Sequence, residues 1–213
     1  MPVQVWHDPV EVPDAPPPEL NASTHRSRAA LERVLTDPGD DGAWIDLAAT
    51  YDEMAPEWTE WVQTQPWYAA PVAAGLSHAK PVPWLVEVGC GTGQATEMLS
   101  RVGPPVVATD VNMSMLCAAP ALPHVCYLAA DVRSLPLRTG SVPMLVSLNG
   151  VPDLREFRRV VAPGGQLLWC TSFGSGTPLY VTPDRLADML GPDWTTEAGF
   201  AGHGDWVLAV RKD

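Results

Sequence analysis

Lysine is almost missing from this chain. Among 213 residues only Lys80 and Lys212 are lysines, and 13 Lys plus Arg face 25 Asp plus Glu, a formal net charge of −12. Neutralising phosphates takes clustered Lys and Arg, so DNA, RNA and anionic membrane surfaces are not expected partners. The chain has no run of about 18 apolar residues, so no transmembrane helix is expected. It opens Met1-Pro2-Val3, without the basic-then-apolar pattern of a secretion signal. The cysteines, Cys90, Cys117, Cys126 and Cys170, make no CxxC pair. They read as reduced thiols of a cytoplasmic protein, with no metal site expected. There is no internal repeat. The length suits one domain with a modest appendage.

What is present falls into three parts: a Pro-rich arm over 1–20, a helical cap over 21–80 and a core over 81–213. The arm holds six prolines and cannot be regular helix. It is a disordered leader or an extended arm anchored by Val5 and Trp6. Residues 24–36 read as a short helix with Ala30, Leu31, Val34 and Leu35 on one face. Residues 43–63 read as helix again, with Trp44, Leu47, Ala48 and Tyr51 at helical spacing and Trp58, Trp61 and Val62 continuing it. Pro56 is expected to kink or split that helix. The rings there are either ordinary packing or the inner wall of a lid over a flat, apolar ligand.

From residue 82 the pattern changes. Short apolar runs at 84–88, 106–110, 125–131, 142–148 and 166–170 alternate with helical stretches, the sign of a parallel sheet buried on both faces. Pro163-Gly164-Gly165 should stop the helix before the fifth run. Thr182-Pro183-Asp184 should open another helix. Residues 194–211 read as an antiparallel hairpin closing the sheet.

Ligands of such sheets bind beyond the carboxyl ends of the strands, and three ends are informative. Glu87-Val88-Gly89-Cys90-Gly91-Thr92-Gly93-Gln94 is a glycine loop that can press backbone N–H groups against a ligand at a helix start. Its spacing is GxGxG, and Gln94 stands where a dinucleotide loop of GxGxxG type needs glycine, which disfavours a nicotinamide-dependent oxidoreductase. Asp110 follows Gly89 by 21 residues at the end of the second run. It can take two ribose hydroxyls, or cap a helix. Asp131 ends the third run, where a carboxylate can accept from an adenine amine.

With these residues in place, the chain resembles the class I S-adenosylmethionine-dependent methyltransferases over about residues 45–211, and within them the small bacterial type-11 group. VEVGCGTGQ (86–94) is similar to their glycine motif, VVATDVNMSML (106–116) to their ribose-acid segment and AADVRSLPL (129–137) to their adenine segment. Residues 145–169 resemble the fourth strand, its helix and the turn into the fifth strand. Residues 51–58 resemble a YDxxAxxW-like lead segment.

The resemblance implies a doubly wound, Rossmann-like α/β fold. Its mostly parallel sheet would have seven strands, an antiparallel C-terminal strand and an N-terminal helical cap. It implies S-adenosyl-L-methionine as cofactor and methylation of a small, fairly apolar O-, N- or C-acceptor. Gly89, Gly91 and Gly93 would approach the methionine part, with Cys90, Thr92 and Gln94 in the same loop and Glu87 supporting it. Asp110, with Val111 and Met115, would hold the ribose, and Asp131 with Val132 the adenine. Asn149 and Gly150 would face the sulfonium, and Tyr51 would close over the methionine carboxylate. The acceptor would lie among Trp58, Trp61, Tyr68 and Phe173, with Trp67 an alternative wall.

The chain departs from the family in its short NGVPD segment after the fourth strand (149–153), where many relatives carry a longer His-containing loop. No catalytic base is evident. His7, His124 and His203 offer none, and proximity and orientation are left to carry the reaction. That absence keeps open a second reading, a non-catalytic S-adenosylmethionine-binding partner or sensor. Monomer and homodimer both remain open.

Overall fold

The computed structural model describes residues 3–7, 22–65, 67–102 and 105–213. Positions 1–2 and 8–20 of the expected arm lie outside the described residues. In chain order the elements are β1 (Gln4–His7), α1 (Arg26–Thr36), α2 (Asp41–Gln63), α3 (Ala70–His78), β2 (Leu85–Val88), α4 (Gln94–Val102), β3 (Val106–Asp110), α5 (Met113–Ala118) and β4 (Val125–Ala129). Then follow β5 (Val142–Leu148), α6 (Leu154–Val160), β6 (Val161–Thr171), α7 (Pro183–Leu190), β7 (Trp194–Ala201) and β8 (Gly204–Arg211). Among the described residues no helix is long and apolar enough to cross a membrane.

The strands form one sheet in the order β1-β7-β8-β6-β5-β2-β3-β4. Only β8 runs against its neighbours, β6 and β7, as the C-terminal hairpin implied. Among the described residues the sheet has eight strands, one more than the seven expected. The extra one is β1, which pairs parallel with β7 from Gln4↔Glu197 to His7↔Phe200. Trp6 fixes it there: its indole Nε1 donates to Glu197 Oε2 at 3.1 Å and its ring lies 5.2 Å from His78.

Alternation along the strands builds two cores. Leu167 and Trp169 of β6 face one, with Phe157 of α6, Leu186 of α7 and Leu31 of α1. Leu168 and Cys170 face the other, with Val72 of α3 and Leu99 of α4. Helix α3 can lie this close to β6 because Gly75 has no side chain. A Cβ there would sit 2.3 Å from Leu168 Cδ1.

Two local expectations are corrected. Of the two outcomes expected at Pro56, a kink or a split, the split does not occur: α2 is one helix through position 56. Pro163-Gly164-Gly165 does not separate helix from strand: β6 begins directly after α6, and the three residues form an irregularity within it, where pairing jumps from Val142↔Val161 to Met144↔Gln166. The Thr182 cap is present, its side chain accepting from Arg185 N–H at 3.2 Å.

Helix α2 matters most for the site. Trp44 and Leu47 near its start belong to the first core, whereas Val62, with Trp58 and Trp61 packed beside it, belongs to the second. Twenty-three residues at about 1.5 Å each give about 35 Å, enough to pass from one face of the sheet to the other.

Candidate active site

Beyond the carboxyl ends of the parallel strands lies a cavity of about 350 Å³. It is in the size range of small-molecule sites. Its floor is made where β2, β3, β4 and β5 end. Its roof is α2, whose Trp44, Leu47, Tyr51, Met54, Trp58 and Trp61 recur at steps of three and four, with Ala48 beside them.

The glycine loop after β2 is held in shape by the chain itself. Gly89, Gly91 and Gly93 have φ of +67°, +53° and +89°, where a side chain is strained. A Cβ on Gly91 would meet nothing within 4 Å, so this face of the loop is open. Asp110 braces the loop from β3. Its Oδ2 accepts from Gly91 N–H at 2.8 Å and its Oδ1 from Asn112 N–H at 2.9 Å. Burial pushes the Asp110 carboxyl up, and these backbone bonds only partly offset that.

Glu87 is 1% exposed and accepts from Thr96 Oγ1 at 2.5 Å. Burial pushes its carboxyl up to about 8, Thr96 pulls it back and the nearby Asp110 adds to the rise. At neutral pH it therefore keeps its proton. Cys90 packs into the second core, and burial pushes its thiol far up, which makes it inert.

Asp131 is committed differently. Arg133 Nε reaches both its oxygens at 3.1 and 3.0 Å, and Nη2 reaches Oδ2 at 2.7 Å. Burial raises the Asp131 carboxyl, but the Arg133 bonds outweigh it and leave it below the usual range. Arg133 also donates to Asp41 at 2.6 Å and lies 5.3 Å from the Trp44 ring centre, tying the loop after β4 to the start of α2.

The opposite end of the cavity is made of rings. Trp58 and Trp61 on α2 lie 5.1 Å apart. Tyr68 is 6.0 Å from Trp58 and 6.3 Å from Trp61, both edge-on. Phe173, after β6, is 5.8 Å from Tyr68 and 6.0 Å from Trp61. Trp67 stands behind Phe173 at 4.9 Å and does not line the cavity.

Asn149 joins the two ends. It is a non-glycine residue at φ +55°. Its Nδ2 donates to Tyr68 Oη at 2.6 Å and to Ser172 Oγ at 2.9 Å, and its Oδ1 accepts from Ser172 N–H at 2.8 Å. These bonds offset a strained backbone, a combination concentrated at functional sites. The next residue is in close quarters: a Cβ on Gly150 would lie 2.2 Å from Ser147 Oγ, and that hydroxyl would have to shift.

Most expected residues thus line one cavity: Tyr51, Glu87, Gly89, Cys90, Gly91, Gln94, Asp110, Val111, Met115, Asp131, Val132, Asn149 and Gly150, with Trp58, Trp61, Tyr68 and Phe173 at the ring end. Thr92 and Gly93 do not. Thr92 is buried and accepts from Gln94 Nε2 at 2.7 Å. Gly93 faces the segment after α5, where a Cβ would meet Pro120 and Tyr127. Both lie along a separate cavity behind the loop.

The structure adds His25, Asn112, Arg133 and residues 177–179 to the wall. Of these, Asn112 and Arg133 lie within two residues of acids already singled out, so a wider window would have found them. His25 and residues 177–179 carry no local signal. His203 meets the Trp67 ring edge-on at 4.8 Å, away from the cavity wall.

Residues 86–169 match the family described as "Methyltransferase domain". A demethylmenaquinone methyltransferase of Mycobacterium tuberculosis is 30% identical over 163 residues, which is 73% of this chain and 67% of that protein. A malonyl-[acyl-carrier protein] O-methyltransferase of Erwinia pyrifoliae is 36% identical over 106 residues, 45% of this chain but only 40% of that protein's own length. Among solved structures, a DhpI–SAH complex superposes with a TM-score of 0.62 at 18% identity, covering 78% of this chain and 95% of that one. A methyltransferase from Thermotoga maritima gives 0.61 at 14% identity, covering 76% and 98%. At these identities the superpositions speak to the fold alone.

Proposed function

The chain belongs to the class I S-adenosylmethionine-dependent methyltransferases, and on that premise we propose that it moves a methyl group from S-adenosylmethionine to a small, uncharged, fairly apolar molecule. One observation carries this reading: a single cavity has a glycine-and-carboxylate end and a ring-walled end, with Asn149 between them. The residues fit the cofactor. The open face over Gly91 admits a chain of atoms against the backbone. The lone pairs that Gly91 and Asn112 leave on Asp110 can take a ribose diol. A neutral Glu87 beside the loop can still release its proton to water when a cationic ligand favours the carboxylate.

The acceptor reading comes from charge. Among the described residues the cavity wall holds one arginine, Arg133, and its guanidinium is taken by Asp131 and Asp41. No uncommitted arginine or lysine remains there to hold a carboxylate or phosphate. A neutral flat ring suits Trp58, Trp61, Tyr68 and Phe173 better than an anionic acyl group does. Of the relatives named above, one acts on demethylmenaquinone and the other on malonyl-[acyl-carrier protein]. This wall favours an acceptor of the first kind in shape and charge.

When bound, S-adenosylmethionine supplies a methyl carbon already activated by a sulfonium. The chain's contribution is placement. Asp110 and the glycine loop hold one end, the rings hold the acceptor and exclude water, and Asn149 sets where the two meet. Positioning of this kind supplies a large share of the rate in such displacements.

Calorimetric titration with S-adenosylmethionine tests the reading, run on the wild type and on Asp110→Ala. Micromolar binding and a loss of at least tenfold in the variant are expected. A folded wild type that binds none of it removes the proposal.

A further inference from the structure

The four rings of the acceptor end carry one hydroxyl, that of Tyr68, and where its proton points follows from the bonds around it. Asn149 Oδ1 accepts from the backbone N–H of Ser172 at 2.8 Å. A backbone N–H can only donate, so this bond fixes which way the Asn149 amide faces. Its two Nδ2 protons then go to Ser172 Oγ at 2.9 Å and to Tyr68 Oη at 2.6 Å. An amide nitrogen offers no lone pair in return. Tyr68 Oη is therefore an acceptor towards Asn149, and its own proton must be placed elsewhere.

Within this relay the remaining place is Ser172 Oγ, which touches the Tyr68 hydroxyl. That oxygen is already engaged twice, donating to the Tyr68 carbonyl at 2.7 Å and accepting from Asn149. A ligand oxygen with free lone pairs is the better partner. Accepting from Asn149 also polarises the phenol O–H and strengthens it as a donor. Burial pushes the Tyr68 hydroxyl far up, so it keeps this proton at any working pH.

The position of the hydroxyl gives it a use. Tyr68 lines the cavity, is 6% exposed, and holds its oxygen against Asn149, where the glycine-loop end meets the ring end. A buried donor without a good acceptor is costly, so this one favours a ligand that supplies an acceptor. The neighbouring donors differ. Tyr51, the other phenol on the wall, bonds to Ser27. Trp58 and Trp61 are less deeply buried, which leaves their indole N–H groups to water. A carbonyl oxygen presents its lone pairs in the plane of its substituents. A flat ring can therefore lay its face against the rings of α2 while a carbonyl on its edge meets Tyr68.

We propose that the Tyr68 O–H donates to a carbonyl oxygen of the methyl acceptor, which makes that acceptor a flat, ring-borne carbonyl compound, with Asn149 as the positioning residue that turns the phenol proton towards it. The proposal rests on the methyl-transfer reading above and names its substrate class.

The test uses 1-tetralone, an uncharged aryl ketone, and tetralin, the same two-ring skeleton without the oxygen. Calorimetry first establishes binding of S-adenosylhomocysteine, and each probe is then titrated into the loaded protein. Tyr68→Phe should weaken 1-tetralone about tenfold and leave tetralin within about twofold. Isotope-edited infrared spectra of carbonyl-labelled 1-tetralone supply a readout that lost packing would not move. The carbonyl stretch should lie lower in the wild type than in hexane, and should return to the hexane value in Tyr68→Phe.

Asn149→Asp reaches the same bond with the tyrosine intact. Aspartate tolerates the positive φ as asparagine does and still accepts from Ser172 N–H. Its second oxygen now accepts where Nδ2 donated, so the Tyr68 proton turns to it and away from the cavity. The infrared shift should vanish in this variant as well. An unshifted carbonyl in the wild type, equal weakening of both probes in Tyr68→Phe, or a shift that survives in Asn149→Asp overturns the assignment, as does a loaded wild type that binds neither probe. Failure of S-adenosylhomocysteine itself to bind is a separate result. It removes the methyl-transfer reading and this proposal with it.

Discussion

At the glycine-loop end the cavity is walled by backbone and carboxylates that come from short strand-to-helix loops. At the other end it is walled by rings delivered from α2, from the segment before α3 and from the segment after β6. The first end is held by directional bonds of 2.8–2.9 Å from Asp110 to Gly91 and Asn112. The second is held by ring contacts of 5–6 Å, with one hydrogen-bonded pin at Asn149. The difference teaches a division of labour. Backbone and carboxylates tolerate almost no change in the ligand they grip, whereas a ring-lined wall can be recut one side chain at a time.

That division can be broken most directly at Gly91. A valine there is strained at φ +53° and projects into the open face of the loop. Affinity for S-adenosylmethionine should fall by about 100-fold, roughly 2.7 kcal/mol, while near-ultraviolet circular dichroism of the ring end stays unchanged. Loss of the ring signal as well would mean that the two ends are not separate.

Asn149→Ala attacks the junction. It removes three hydrogen bonds and leaves a strained backbone position, so a stability loss of about 2 kcal/mol is expected, read by urea unfolding. Affinities at both ends should drop. Trp61→Ala sharpens the contrast from the other side. Binding of a phenol or naphthol probe should weaken about tenfold, about 1.4 kcal/mol, with the S-adenosylmethionine Kd unchanged within about twofold.

The proton on Glu87 gives a smaller effect with a definite sign. The folded protein holds that proton up to about pH 8, while the unfolded chain releases it near 4.5. Folding therefore takes up a proton in this window. Stability from this group is full below pH 4.5, falls as pH rises from 4.5 to 8, and is flat above. Glu87→Gln should flatten that slope in a series of Tm measurements. A cationic cofactor favours the ionised form, so calorimetry at pH 7 in buffers of different ionisation enthalpy should register proton release on binding in the wild type and none in the variant. Arg133→Ala should matter least. Its pairs with Asp41 and Asp131 are partly exposed, and cofactor affinity should change by about threefold or less.

The glycine-loop end was readable in the sequence because its parts are local. Glu87 to Gln94 form one loop, and Asp110 and Asp131 each end an apolar run. The rings on α2 were readable for a related reason: a helix writes its inner face as a step of three or four. What could not be read depends on distant partners. Strand β1 has four residues and exists because Glu197 to Phe200 offer an edge some 190 positions away. Helix α3 hides because Ala70, Ala74 and Gly75 are small and show little contrast between faces. His25 reaches the cavity only through the docking of α1 against α2. Thr92 misleads in the opposite direction, since the loop that carries it turns its side chain behind the glycines.

The single span of α2 has a thermodynamic consequence. Because one helix roofs both ends, any displacement of α2 that a ligand produced at Trp44 would be felt at Trp58 and Trp61, and the reverse holds equally. Coupling of this kind is reciprocal by necessity: whatever factor the cofactor adds to the affinity for the acceptor, the acceptor adds to the affinity for the cofactor. Measuring either one therefore determines the other.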